Sequence, residues 1–246
     1  DPKTSTCSPR FCSYLLTRSL GRLFYMPNPL VIAIDGPSGS GKSSVSRAVA
    51  TELGFDYLDT GSMYRAMTWY IQDLGIDVND AVQVADRAQA AAIQPNTDPS
   101  EPGIRVAGID VSSPIRGATV TQAVSAVSAV PTVRELMVNL QREIVAKSPV
   151  GIVVEGRDIC AVVLPDAQIK LFITADPAAR AERRAKEVDA EVAATSESLA
   201  QRDLADSTRA VSPLEVAPDA TVIDTTHLNL TDVIAKVIDL AQAARG

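Results

Sequence analysis

The stretch from Leu30 to Gly54, "LVIAIDGPSGSGKSSVSRAVATELG", constrains this chain more than any other. Leu30 to Ile34 form an unbroken apolar run, as expected of a strand buried on both faces of a parallel sheet. From Lys42 the pattern turns helical: Val45, Ala48, Val49 and Leu53 share one stripe, and Gly54 is the stop signal. Between them lies a segment of glycine, serine and proline that would make poor core. Glycines there let the backbone approach a ligand and turn successive N–H groups into one cavity, which suits an anion. Gly36, Gly41, Lys42 and Ser43 fit G-x-x-x-x-G-K-[ST], the P-loop pattern, in its required context of strand, turn and helix. In that pattern Lys42 reaches the β- and γ-phosphates and the Ser43 hydroxyl ligates Mg²⁺. The segment from Gly36 to Ser44 is therefore expected to hold a nucleoside triphosphate.

Beyond the loop, the chain alternates further strand and helix patterns. Strands are expected around "FDYLD", "GIVVE", "QIKLFIT" and "ATVIDT", and helices over about 61–74, 76–93, 131–147 and 230–244. This alternation predicts an α/β fold, a P-loop NTPase-type parallel sheet flanked by helices. From Gln94 to about Val120 the pattern changes to Pro, Gly and short alternating pieces, with "GIRVAGIDV" reading as a hairpin turned at Ala107 and Gly108. That is an insert outside the parallel core. Residues 177–209 are rich in charge and poor in core periodicity, as a solvated helical hairpin would be.

Charge and cysteine usage narrow the setting. Lys3, Arg10, Arg18 and Arg22 against Asp1 give the first 25 residues +3 of the chain's −7, so the remainder carries −10. A body that acidic argues against a non-specific nucleic-acid surface or an anionic membrane surface. Three cysteines, Cys7, Cys12 and Cys160, make neither an even disulfide framework nor a C-x-x-C site, which favours a reducing cytoplasm. His227 is the only histidine and falls in a loop before the last helix, so a multi-histidine zinc site is excluded. Met26 opens "MPNPLVIAIDGPSG" just ahead of the first strand. Residues 1–25 are thus expected to be an N-terminal extension, disordered or non-native, ahead of one domain over 26–246; their Arg- and Ser-rich, acid-poor composition also suits a targeting segment.

Arginines recur where strands end: "DTGSMYR" (Asp59 to Arg65), "EGRD" (Glu155 to Asp158) and "RDLADSTR" (Arg202 to Arg209). Ligands of an open parallel sheet sit beyond the carboxyl ends of its strands, so the first two point to the crevice that holds the P-loop. The planar fork of arginine suits phosphate. Together they suggest a second phosphate site facing the first.

The stretches "IDGPSGSGKSS", "LDTGSMYR", "VSAVSAVPTVR", "VVEGRDICAVVLPDA" and "RDLADSTRAVSPL" stand in an order that resembles bacterial cytidylate kinase, of the P-loop nucleoside monophosphate kinases. The likeness runs from about Leu30 to the last helix. It implies a small β-containing NMP-binding insert over about 94–130 and a helical lid over about 177–209. It implies ATP-dependent phosphorylation of CMP and dCMP in the cytoplasm by a monomer, with Mg²⁺. Position by position, it assigns ATP phosphates to Gly36, Pro37, Ser38, Gly39, Ser40, Gly41, Lys42, Ser43 and Ser44, with Ser43 on the metal. Arg65, Arg157 and Arg209 would grip the acceptor monophosphate and the transferring group, Thr60 and Tyr64 would also bind CMP, and Lys42, Arg157 and Arg209 would be catalytic. Ser125, Arg134 and Asp158 would read cytosine, with Ser128 an alternative to Ser125, and Arg202 and Asp206 would contact the ribose. An aspartate suits cytosine, whose exocyclic amino group donates where uracil has an acceptor. Two departures stand out: Ile159, Cys160 and Ala161 replace a Met-Gly-Thr-type sequence, and Ala205 and Ser207 stand where the family lid can carry arginines. A regulatory GTPase would need an N-K-x-D stretch, which the chain lacks; another small-molecule kinase, for UMP or shikimate, is the alternative.

Overall fold

A computed structural model describes residues 29–188, 191–209 and 211–245. The expectations for residues 1–25, for Cys7 and Cys12 and for Met26 lie outside the described residues.

Strand β1 (Leu30–Asp35) runs into the Gly-rich turn and helix α1 (Lys42–Leu53), which Gly54 ends in a left-handed conformation. Strand β2 (Asp56–Asp59) leads into α2 (Thr60–Asp73), whose N-terminus is capped by the Asp59 carboxylate accepting from Ser62 N–H at 3.0 Å. Farther on, α5 (Pro131–Lys147) precedes β6 (Gly151–Gly156), and β7 (Ile169–Thr174) and β8 (Thr221–Asp224) complete the sheet before the last helix, α8 (Leu230–Ala244).

The five strands lie parallel in the order β2-β6-β1-β7-β8. Alternate side chains feed two cores, as a doubly covered sheet requires. Ile32, Ile34, Val153, Leu171 and Ile173 pack with Val45 and Val49 of α1 and Val233 and Val237 of α8; Ala33, Ile152 and Val154 pack with Met63 and Met67 of α2 and Val133 and Met137 of α5. All six residues of β6 are buried, including the charged Glu155.

Two segments differ from the sequence reading. The helix expected over 76–93 shrinks to α3 (Ala81–Ala88), because Asp80 accepts from Gln83 N–H at 3.0 Å and starts the helix there, while Ile93 leaves it to pair with Val106. The hairpin turns at Ala107 and Gly108 as expected, both at positive φ, and β4 (Ile104–Val106) and β5 (Ile109–Asp110) gain a partner in β3 (Ile93–Pro95) that local pattern did not reveal. This small antiparallel sheet is separate from the parallel one, yet Ile93, Ile104, Val106 and Ile115 share a core with Met63 and Met67. The 3₁₀ turn Pro114–Arg116 and α4 (Ala118–Ala129) follow. The charged hairpin is α6 (Pro177–Val188) and α7 (Val192–Ser207).

Gly36 sits at φ 146°, and a Cβ there would lie 2.0 Å from the Ile173 carbonyl oxygen. Gly36→Ala is therefore expected to cost roughly 3 kcal/mol or more from backbone strain and displacement of β7. A thermal melt checks it; a Tm equal to the parent's would show that β1 can move aside.

Candidate active site

The sheet register places the turn after β1 beside the turn after β6, since Asp35 pairs with Gly156. The P-loop and the "GRD" turn thus emerge together at the carboxyl edge, where open parallel sheets bind ligands. Lys42 is 6% exposed at the start of α1 and its Nζ donates to the Pro37 carbonyl at 2.8 Å. Burial, followed by the Arg157 charge, pushes this ammonium down, and an incoming anion would favour its charged form. A Cβ on Gly39 would meet the Arg180 carbonyl oxygen at 2.8 Å, so the loop is glycine where α6 passes over it.

Next to the loop stands Glu155, 3% exposed. Ser43 Oγ donates to its Oε2 at 3.0 Å and Tyr57 Oη donates to its Oε1. Burial, then the neighbouring Asp59, pushes Glu155 up and favours its neutral form, a balance that a nearby cation would reverse. Thr60 Oγ1 donates to the Glu155 carbonyl at 2.7 Å and fixes the end of β6 against α2.

Guanidinium groups crowd the remaining lining. Arg65 donates to Thr121 Oγ1 at 2.8 Å and to the Ile115 carbonyl at 3.2 Å. Burial, then Arg202 and Arg184, pushes Arg65 down to about 10, and burial, then Arg157, lowers Arg202. Cations that depress one another in a cleft are a site prepared for an anion. Arg157 Nη2 donates to Ser38 Oγ at 2.6 Å and its Nε to Asp206 at 2.9 Å; Arg209 donates to the other oxygen of Asp206 at 3.0 Å. Arg180 links Asp203 at 2.6 Å to the Ser38 carbonyl at 3.1 Å. Two acidic residues of α7 are thus tied through arginines to Ser38. Deeper, Arg134 of α5 pairs with Asp158 and lies over the Tyr64 ring, 5.6 Å from its centroid.

A sequence model of the family described as cytidylate kinase matches residues 32–243. The chain belongs to the cytidylate kinase family. The cytidylate kinase of Streptomyces griseus is 53% identical over 217 residues, which cover 88% of this chain and 94% of that protein. Those of Streptomyces coelicolor and Nocardia farcinica are 54% identical over 217 residues and 51% identical over 211, covering 94% and 90% of their own lengths.

Most residues that the likeness to cytidylate kinase assigned converge on one cleft. It is lined by Ser38, Gly39, Gly41, Lys42, Ser43 and Ser44 on the loop side, and by Thr60, Tyr64, Arg65, Ser125, Arg134, Arg157, Asp158, Arg202, Asp206 and Arg209. Ser128 lines it as well as Ser125, and Ser128 Oγ donates to the Ser125 carbonyl at 3.1 Å. Gly36, Pro37 and Ser40 stand behind the lining: Gly36 packs on β7, Pro37 holds Lys42 and Ser40 is fully buried.

Sequence reasoning passed over Glu155, Tyr57 and Arg180. The first had a signal, a charged residue closing an otherwise apolar strand beside the P-loop strand. Arg180 had none among its many charged neighbours. Asp158 binds Arg134, not the adjacent Arg157, because the backbone between them turns their side chains apart: Arg157 faces α7 and Asp158 faces α5.

Proposed function

We propose that the protein transfers the γ-phosphoryl group of ATP to CMP and dCMP, with the P-loop holding ATP and the arginine-lined part of the same cleft holding the acceptor. One observation carries this reading. A single cleft joins Lys42 and Ser43 to a buried Arg134–Asp158 pair, with Arg65, Arg157, Arg202 and Arg209 also in its lining. A donor phosphate site, converging cations and a base-sized polar end are what two nucleotides meeting phosphate to phosphate require.

Phosphoryl transfer asks a protein for positioning and charge stabilisation and little covalent help. The loop amides and Lys42 hold the donor phosphates; Arg65, Arg157 and Arg209 hold the acceptor monophosphate and meet charge that builds on the transferring group. The acceptor oxygen is already ionised near neutral pH, so no general base is assigned. The Ser43 hydroxyl and the Glu155 carboxylate are hard oxygen donors that suit Mg²⁺, which takes one or two protein oxygens and completes its shell with water and phosphate. When bound there, Mg²⁺ would neutralise phosphate charge. At the base, one oxygen of Asp158 answers Arg134 and the carboxylate retains capacity to accept from the cytosine amino group. Helices α6 and α7 serve as a lid whose closure excludes water from ATP. A cytoplasmic setting belongs to the same proposal and fits Cys160, a buried free thiol.

The test is an acceptor screen with ATP and Mg²⁺ over CMP, dCMP, UMP, AMP, GMP and shikimate. CMP and dCMP are expected to give the highest kcat/KM, with UMP lower by about 10- to 100-fold, the discrimination a base-edge contact supplies. A higher value for UMP, or any efficient turnover of shikimate, would overturn the reading.

A further inference from the structure

Asp35 ends β1 immediately before the P-loop, a place from which its carboxylate could serve a metal-bound water. It does not face that way. The residue is 2% exposed and both oxygens are occupied: Oδ1 accepts Ile159 N–H at 2.9 Å and Oδ2 accepts Cys160 N–H at 2.8 Å. These two amides open a π-helical turn, Ile159–Val163, directly after Arg157 and Asp158.

We propose that Asp35 is a positioning residue for the acceptor, clamping the turn that carries Arg157 and Asp158 to the strand that carries the P-loop. The proposal rests on the CMP reading above. Its geometry is independent of that reading. Backbone pairing between β1 and β6 runs as far as Asp35 and Gly156, and the Asp35 side chain carries the connection past the end of the ladder. A carboxylate accepting two N–H groups at the start of a helical turn makes charge-assisted bonds with favourable dipole geometry. The turn is also held tightly on its other side, since a Cβ on Gly156 would meet Ile159 Cγ1 at 2.6 Å and Thr60 Oγ1 at 2.7 Å. Little slack remains for Asp158, whose side chain must reach both Arg134 and a base.

The cost of the arrangement points the same way. Burial pushes the Asp35 carboxyl up despite its two amide donors, and Asp158 adds to the effect. A buried carboxylate is an expensive way to join two turns, and an apolar pair of the same volume could pack as stably. What apolar residues cannot supply is direction: two amides fixed to two oxygens set the orientation of the turn as well as its distance. Asp35 holds this segment by backbone amides, which any residue but proline supplies at positions 159 and 160, while the Ile159 and Cys160 side chains pack in the core.

Asp35→Asn tests the proposal, because an amide keeps one acceptor and sets its NH₂ against the other N–H. Hydrogen exchange at the Ile159 and Cys160 amides should accelerate. KM for CMP should rise about tenfold and the CMP-to-UMP preference should shrink, while KM for ATP stays within about twofold. Should the asparagine variant not fold, Asp35→Glu carries the same readouts, since it keeps the charge and displaces the clamp by one methylene. An unchanged KM for CMP and an unchanged CMP-to-UMP ratio, with only a lower Tm, would overturn the proposal and leave Asp35 a part of the core. A parent enzyme without preference for CMP over UMP would instead overturn the acceptor reading on which it rests.

Discussion

Lys42→Ala is expected to fold and to lose at least about 10³-fold in kcat, the scale seen when a single charge that stabilises a transferring group is removed. The side chain is buried at the first turn of α1 and its contact within the protein is a bond to a loop carbonyl. Alanine is a good helix former, and deletion of the buried cation removes its burial cost and the repulsion from Arg157 along with the attractions of Glu155, Asp35 and Asp59, which offset one another. Stability should therefore change little, with Tm within about 4 °C of the parent's. The two measurements together are decisive: a folded protein by circular dichroism with almost no transfer from ATP to CMP. Turnover near the parent's level would sink the P-loop assignment. A large fall in Tm would show that Lys42 serves the fold before it serves phosphate.

Asp158→Asn is expected to reduce kcat/KM for CMP by about 100-fold or more, and to reduce it for UMP far less. The carboxylate can only accept, which matches the cytosine amino group; an asparagine amide can turn to donate to the uracil carbonyl. The structure adds a second consequence. Arg134 and Asp158 have side chains only 4% and 6% exposed, so the substitution leaves a buried guanidinium with a neutral partner. Breaking such a pair costs about 3–5 kcal/mol, and Tm should fall accordingly. The ratio of kcat/KM for CMP to that for UMP separates the two effects, because lost stability lowers both substrates alike. If that ratio stays at the parent's value while Tm falls, Asp158 holds Arg134 and does not read the base.

Local pattern was enough wherever one segment carries its whole reason. The P-loop is legible because glycine, lysine and serine stand at fixed offsets between a continuous apolar run and a helical stripe, and each offset has a chemical cause. The expected spans of about 131–147 and 230–244 match α5 and α8, with Pro131 at the first turn of α5 and Val233, Val237 and Ala241 forming the buried stripe of α8. Strand β3 was not, because three residues form a strand only when a partner is present, and that partner lies eleven residues downstream in β4. The false extension of α3 has a related origin: Asp80 caps the helix at its start, and Ile93 pairs with Val106 in the small sheet.

Motif order in the sequence also determined the family, the phosphate loop and the set of arginines. What the tertiary structure alone decided is which charge answers which. Asp158 pairs across 24 positions with Arg134, Arg157 across 49 with Asp206, and Ser43 across 112 with Glu155. Asp35, in a motif that suggests metal chemistry, spends both oxygens on amides 124 and 125 positions away. Sequence spacing cannot express such choices, since a carboxylate accepts equally from a metal-bound water, a guanidinium or an amide. The parallel sheet chooses among them, by placing the ends of β1 and β6 side by side, so that Asp35 meets the amides of the turn that follows β6.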